Sequence, residues 1–191
     1  MTPLYKHTLR SHYKSLRQTR TPAQMMSASE RISALILAWS AYREAKCIAI
    51  YHAIPGEVDL SLIWKTALSA GKSCAFPAIN EDHTLSFLPA TPSTVFAKNR
   101  FGIAEPTLPR AQALPPDQMD IIFLPLVAFD AYGTRLGMGG GYYDRTLAHA
   151  RPRWLVGIAY DEQRQPLIEA DAWDVPMDLV ITERTIYWSK S

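Results

Sequence analysis

The ten residues from Asp120 to Phe129 (DIIFLPLVAF) constrain the chain most. Behind the leading aspartate no side chain is polar and polarity does not alternate, so a strand here must be buried on both faces. Pro125 marks the strand's end, because proline cannot donate to a central ladder. A run this short does not cross a bilayer, which takes about twenty apolar residues. A doubly buried strand needs helices above and below it, and the neighbouring sequence supplies them.

Residues 1–20 carry Leu4, Leu9, Tyr13 and Leu16 at roughly helical spacing, with basic side chains between them. Thr21-Pro22-Ala23-Gln24 then places a capping hydroxyl, a proline at the first helical position and a glutamine three residues beyond the cap. The apolar stripe through Ala28, Ile32, Leu35, Ile36 and Trp39 carries that helix to about Arg43. Lys46 to Tyr51 reads as a buried strand, Asp59 to Ala70 as a helix stopped by Gly71, and Ser73 to Pro77 as another strand. Thr84 to Leu88 alternates in polarity, as an edge strand does. From Pro89 to Pro116 prolines recur and periodicity is lost, which predicts a long surface connection. A helix from about Tyr142 to Ala150, a strand from Trp154 to Tyr160 and a last core strand from Leu179 to Thr182 complete the alternation. The expected fold is α/β: one layered domain over residues 1–191, with a largely parallel central sheet flanked by helices, Rossmann-like.

Between the apolar strand and the helix at Tyr142 lies FDAYGTRLGMGGGYYDR, from Phe129 to Arg145, with glycines at 133, 137, 139, 140 and 141. Glycine lets backbone N–H groups turn inward and lets a ligand approach closely. A helix start adds unpaired donors, so the segment reads as a cradle for phosphate. Arg135 supplies a permanent cation, and Asp144 a carboxylate for a magnesium ion that bridges phosphates. The run lacks the glycine-lysine-serine/threonine ending of a P-loop and the GxGxxG opening of a dinucleotide site, and a tight turn is the plainer alternative.

The run RLGMGGGYYDR, Arg135 to Arg145, resembles the signature of the 5-formyltetrahydrofolate cyclo-ligase (methenyltetrahydrofolate synthetase) family. Three further pieces are similar and follow in the family's order. They are Lys6-His7-Thr8-Leu9-Arg10, Pro55-Gly56-Glu57-Val58-Asp59, and the stretch Trp154 to Thr182 with Gln163 and Trp173-Asp174-Val175-Pro176-Met177-Asp178. The likeness covers nearly the whole chain and is loose only from Pro89 to Pro116.

The resemblance implies an enzyme that uses ATP and Mg²⁺ to close 5-formyltetrahydrofolate to 5,10-methenyltetrahydrofolate, releasing ADP and phosphate. It assigns ATP to Lys6, Arg10, Arg135, Leu136, Gly137, Met138, Gly139, Gly140, Gly141, Tyr142 and Tyr143. The folate falls to Ile54, Glu57 and Asp59, together with Met138 through Tyr142. Arg135 and Tyr142 are the catalytic candidates, Asp144 and Asp178 the magnesium ligands. The residues alone leave alternatives open. Lys6 and Arg10 share a helix face but also fit a solvated basic terminus. Asp59 reads equally as the N-cap of the following helix, Asp178 reads as a helix or turn cap, and one of Tyr142 and Tyr143 packs inward.

The formal net charge of +2 gives no electrostatic reason to expect nucleic acid or a membrane surface as partner. Cys47 and Cys74 sit in apolar runs and match no zinc or disulfide pattern, and the basic N-terminus has no signal-peptide core. None of the five histidines pairs at metal-ligand spacing. A cytoplasmic monomer acting on small molecules is the expectation. The rival readings are a nucleotide-binding regulatory module without turnover, and a sugar-phosphate isomerase on a related scaffold that needs neither ATP nor magnesium.

Overall fold

The structure is a computed structural model that describes residues 3–190; Met1, Thr2 and Ser191 lie outside the described residues. The apolar run forms strand β6 (Ile121–Pro125), whose residues Ile121 to Leu124 are all buried. It ends at Pro125 as expected. Asp120, just ahead of it, accepts on Oδ2 from the N–H groups of Lys46 and Cys47 at 2.7 and 3.0 Å, which aligns β1 (Cys47–Ala49) beside it. With β2 (Ser73–Ile79), β3 (Leu85–Pro89), β9 (Trp154–Ile158), β10 (Leu179–Ile181) and β11 (Ile186–Trp188), these form a seven-stranded sheet in the order β11-β10-β9-β6-β1-β2-β3. The five inner strands are parallel, and the edges β3 and β11 run antiparallel. The expected α/β sheet is therefore present, with β11 as an edge strand that the sequence did not announce.

Helices α2 (Pro22–Ala38), α3 (Ser40–Glu44) and α4 (Ser61–Ser69) cover one face, burying Ile32, Ile36, Tyr42 and Ile63 against Ile48, Phe76, Phe123 and Val156. The capping box at Thr21 forms in both directions. The helix does not run on to Arg43. At Trp39 the backbone turns extended (φ −71°, ψ 127°), and the indole is buried edge-on against Trp154 and Trp188, with ring centroids 5.6 and 6.2 Å away. Packing a large aromatic between two others outweighs continuing the helical ladder by one turn.

The opposite face is covered by the one-and-a-half-turn helix α5 (Tyr142–Leu147) and the segment around Met177. Between β3 and β6 the proline-rich connection carries a small hairpin of β4 (Phe96–Lys98) and β5 (Ala104–Pro106), too short to show periodicity in sequence. No helix among the described residues is long and apolar enough to cross a membrane.

Chain connections position the site. From β1 the chain crosses through α4 to β2 on one side, and from β6 it passes through α5 to β9 on the other. The order thus reverses between two neighbouring parallel strands, and their carboxyl ends open a crevice, the usual ligand position in such sheets.

Candidate active site

Beyond Pro125 the chain forms a two-stranded hairpin, β7 (Ala128–Phe129) and β8 (Arg135–Leu136). Buried Asp130 holds its turn: Oδ1 accepts from the N–H groups of Tyr132 and Thr134, and Oδ2 from that of Ile168. Helix α1 (Pro3–Gln18) lies on this hairpin, packing Leu9 and Tyr13 against Val127, Ala128, Leu136 and Ile168. Leu136 thereby has its side chain in the core. The seat brings Arg10 to the glycine loop, where its Nε donates to the Gly137 carbonyl at 2.9 Å. Gly139 sits against the same guanidinium with φ +102°, a conformation residues with a Cβ rarely adopt. Met138 at the loop's apex is half exposed.

Arg135 does not point a free cation at this loop. Its guanidinium is buried and donates to Asp144 Oδ1 and to the Val175 carbonyl, while the Val175 N–H donates to the same Asp144 oxygen at 3.1 Å. Lys6 is also engaged, with Nζ 2.6 Å from Asp171 Oδ2 and 3.5 Å from Asp174 Oδ2. Residues 171–177 thus form a strap that ties α1, β8 and α5 together. At six residues α5 is shorter than expected, so its dipole is small, and the nearest α1 cation to the loop is Arg10.

Tyr143 packs inward among Phe87 and its neighbours, and burial pushes its hydroxyl above its ordinary pKa. Tyr142 faces outward. Its hydroxyl accepts from Arg100 Nη2 at 2.6 Å and lies 3.3 Å from His83 Nδ1, and its ring meets Phe101 edge-on. The tip of the β4–β5 hairpin therefore reaches the glycine loop.

At the end of β1, Ile54 to Glu57 close a turn through a 2.9 Å bond from the Glu57 N–H to the Ile54 carbonyl. The Ile54 N–H in return donates to Glu57 Oε2 at 3.2 Å. Glu57 Oε1 lies 3.5 Å from Nη1 of Arg17, and both side chains are nearly inaccessible. Burial raises the Glu57 carboxyl's pKa, and the Arg17 guanidinium opposes that rise. A cavity of about 590 Å³ opens beside this turn, lined by Met25, Ser29, Ile54, Glu57, Asp59 and Leu62. Asp59 spends Oδ1 on the N–H and hydroxyl of Ser61, the first residue of α4, while the N-cap position of that helix falls to Leu60 rather than to Asp59. A second cavity of about 650 Å³ runs from Gly141 and Asp144 past Arg145 to Trp173.

The two magnesium candidates differ. Both hydrogen bonds to Asp144 fall on Oδ1, so one carboxylate oxygen remains for a cation that takes its other ligands from phosphate and water. Asp178 commits both: Oδ1 pairs with Arg151 at 2.8 Å and Oδ2 accepts from the Leu155 N–H at 2.7 Å, at the amino end of β9 and β10. Among the described residues no cluster of three or more His, Cys, Asp or Glu side chains forms a metal cage. Asp144 fits the ion; Asp178 as it stands holds the start of a strand.

The family model of 5-formyltetrahydrofolate cyclo-ligases matches residues 4–183. This chain belongs to that family. A 5-formyltetrahydrofolate cyclo-ligase of Haemophilus influenzae is 35% identical over 176 residues, covering 90% of this chain and 94% of the relative. The mouse cyclo-ligase is 29% identical, with 93% of each chain covered. The NMR structure of Aquifex aeolicus 5,10-methenyltetrahydrofolate synthetase superposes with a TM-score of 0.85 at 31% identity, over 97% of this chain and 93% of that one. The Mycoplasma pneumoniae synthetase gives 0.74 at 26%, over 93% and 98%.

In this cyclo-ligase family member, α1, the Ile54–Glu57 turn and the glycine loop converge on the carboxyl ends of β1 and β6. Sequence reasoning left Arg17 in the solvated basic terminus, although it stands seven residues, about two turns, beyond Arg10 on the same face of α1. It also missed Asp171 and Asp174 as partners of Lys6, and it named Gln163 without the buried contacts its amide makes, donating to the Leu126 and Val127 carbonyls at 3.0 and 2.9 Å. No local pattern marks those contacts.

Proposed function

We propose that this protein closes the ring of 5-formyltetrahydrofolate to give 5,10-methenyltetrahydrofolate, at the expense of ATP. One contact carries the reading: Arg10 on the Gly137 carbonyl joins two segments 127 residues apart, so a basic helix face and a glycine loop share one surface. Loop N–H groups with Lys6 and Arg10 bind the triphosphate, Lys6 leaving Asp171 and Asp174 as phosphate oxygens replace those carboxylates. Asp144 would hold a Mg²⁺ ion, which would supply neutralisation of charge on the transferring group. Arg135 holds Asp144 in place, and so acts through it. Glu57 in the neighbouring crevice accepts from the pterin's amino and ring N–H donors, with Ile54 and Asp59 bordering the same cavity. Tyr142 lines the far side of the loop.

The formyl oxygen attacks the γ-phosphorus and ADP leaves. N10 then attacks the formyl carbon, phosphate departs with that oxygen, and the N10 proton is lost as the ring closes. Neither step needs a nucleophile from the protein; positioning and charge stabilisation suffice. The test is the absorbance of the methenyl product with purified protein, 5-formyltetrahydrofolate, magnesium and ATP. Signal that requires both substrates supports the reading. Nucleotide binding without turnover would instead favour a regulatory module, and turnover of a sugar phosphate without ATP an isomerase.

A further inference from the structure

Arg17 is the last basic residue of α1 and is 4% exposed. A guanidinium withdrawn from water is costly unless well paired, and this pairing is loose. Nη1 lies 3.5 Å from Glu57 Oε1 and 3.5 Å from the Leu126 carbonyl, and Nε has no partner among the described residues. An ion pair kept for stability alone would be bidentate and fully hydrogen-bonded. Here donor capacity is left over, at the crevice between the ends of β1 and β6.

The surroundings are shaped to keep Arg17 there. Gly56 turns with φ +86°, and a Cβ on it would stand 3.5 Å from the Arg17 Cβ, so α1 lies directly on the turn. Glu57 is clasped from both sides, Oε2 by the Ile54 N–H and Oε1 by Arg17. The other titratable groups at this place are the hydroxyls of Tyr51, which donates to the Val58 carbonyl at 2.9 Å, of Tyr143 from α5, and of Tyr160, which the Arg17 and Arg20 guanidinium groups also reach; Asp59 acts on the same Tyr51. Burial pushes all three tyrosines up, so they stay neutral at working pH. Arg17 is therefore the cation that faces Glu57.

We propose that Arg17 is a positioning residue for substrate binding: it closes the crevice behind Glu57 and orients that side chain toward the N–H donors of the substrate's ring. The inference rests on the reading of Glu57 as a substrate carboxylate. Burial alone raises the Glu57 pKa, and Arg17 counters it. Without Arg17 the carboxyl holds its proton to higher pH, and binding that needs the anion is lost at low pH and regained as pH rises.

The experiment compares wild type, Arg17→Met, Arg17→Lys, Glu57→Gln and the Arg17→Met/Glu57→Gln pair. It reads ATP-independent binding of 5-formyltetrahydrofolate by calorimetry, and kcat/KM across pH. The expected result for Arg17→Met is about tenfold weaker folate binding at neutral pH, with the KM for ATP little changed and the acid limb displaced to higher pH. Arg17→Lys keeps the limb in place, and Arg17→Met adds little on the Glu57→Gln background. A uniform loss at every pH, or equal losses with and without the carboxylate, overturns the proposal. Should Arg17→Met not fold, Arg17→Gln is the second neutral variant; if neither folds while Arg17→Lys binds like wild type, the role is structural and the proposal fails. A wild-type protein that binds no formylfolate sinks the reading of the site, whereas one that binds it equally with and without Arg17 sinks this proposal alone.

Discussion

At the scale of single residues, cations that look alike in sequence have different work. Arg10 touches the glycine loop through a single carbonyl and has donors to spare, whereas Arg135 is buried between Asp144 and Val175. Arg10→Ala is expected to lower kcat/KM for ATP by at least about tenfold, roughly 1.4 kcal/mol, with little change in stability. Arg135→Ala leaves Asp144 without its partner and should cost about 3 kcal/mol, lowering Tm by about 6–12 °C in calorimetry. Asp178→Asn separates the structural role from the metal role. It should cost about 1–2 kcal/mol by weakening the hold on Arg151 and on the Leu155 N–H, with the KM for magnesium-ATP unchanged; a tenfold rise in that KM would make Asp178 a ligand after all. The glycine run reads as an anion cradle from its residue types alone, whereas Arg10 and Glu57 were singled out only through the family resemblance. The partners of Lys6 and Arg135 were not legible, because residues 171–177 reach them only through the folded chain.

Whole elements were legible where a local rule sets them. The capping box at Thr21 starts α2, and an unbroken apolar run makes β6. They were illegible where packing decides, as at Trp39, where three indoles meet and the helix gives way. The β7–β8 hairpin shows how tightly such decisions can bind. Gly133 in its turn has φ +82°, and a Cβ there would stand 2.4 Å from the Met177 carbonyl oxygen and 2.5 Å from Ser189 Oγ. The strap docks at this place, the Met177 N–H donating to the Gly133 carbonyl at 2.9 Å. Gly133→Ala should therefore destabilise by at least about 2 kcal/mol, visible as a lower urea midpoint with an unchanged slope.

For the molecule as a whole, strand and helix alternation foretold a parallel α/β sheet, while the seating of α1 against a hairpin more than a hundred residues away left no mark in either segment. The buried sheet also provides a reporter of its own integrity. Burial pushes the Cys74 thiol up to about 11, so almost none is thiolate at neutral pH. Alkylation of Cys74 in the native protein should run at least about a hundredfold slower than for a free cysteine, as read by mass spectrometry, and should catch up only when denaturant opens the sheet. Labelling at the free rate would contradict its burial. The seating of α1 has a further consequence for biogenesis. This helix leaves the ribosome before its resting place, Val127 through Ile168, is made. Until then Leu9, Tyr13 and Leu16 have nothing to cover them, so a chain stalled between the two segments should be a client for chaperones, and catalytic competence should arrive abruptly only once Ile168 has emerged.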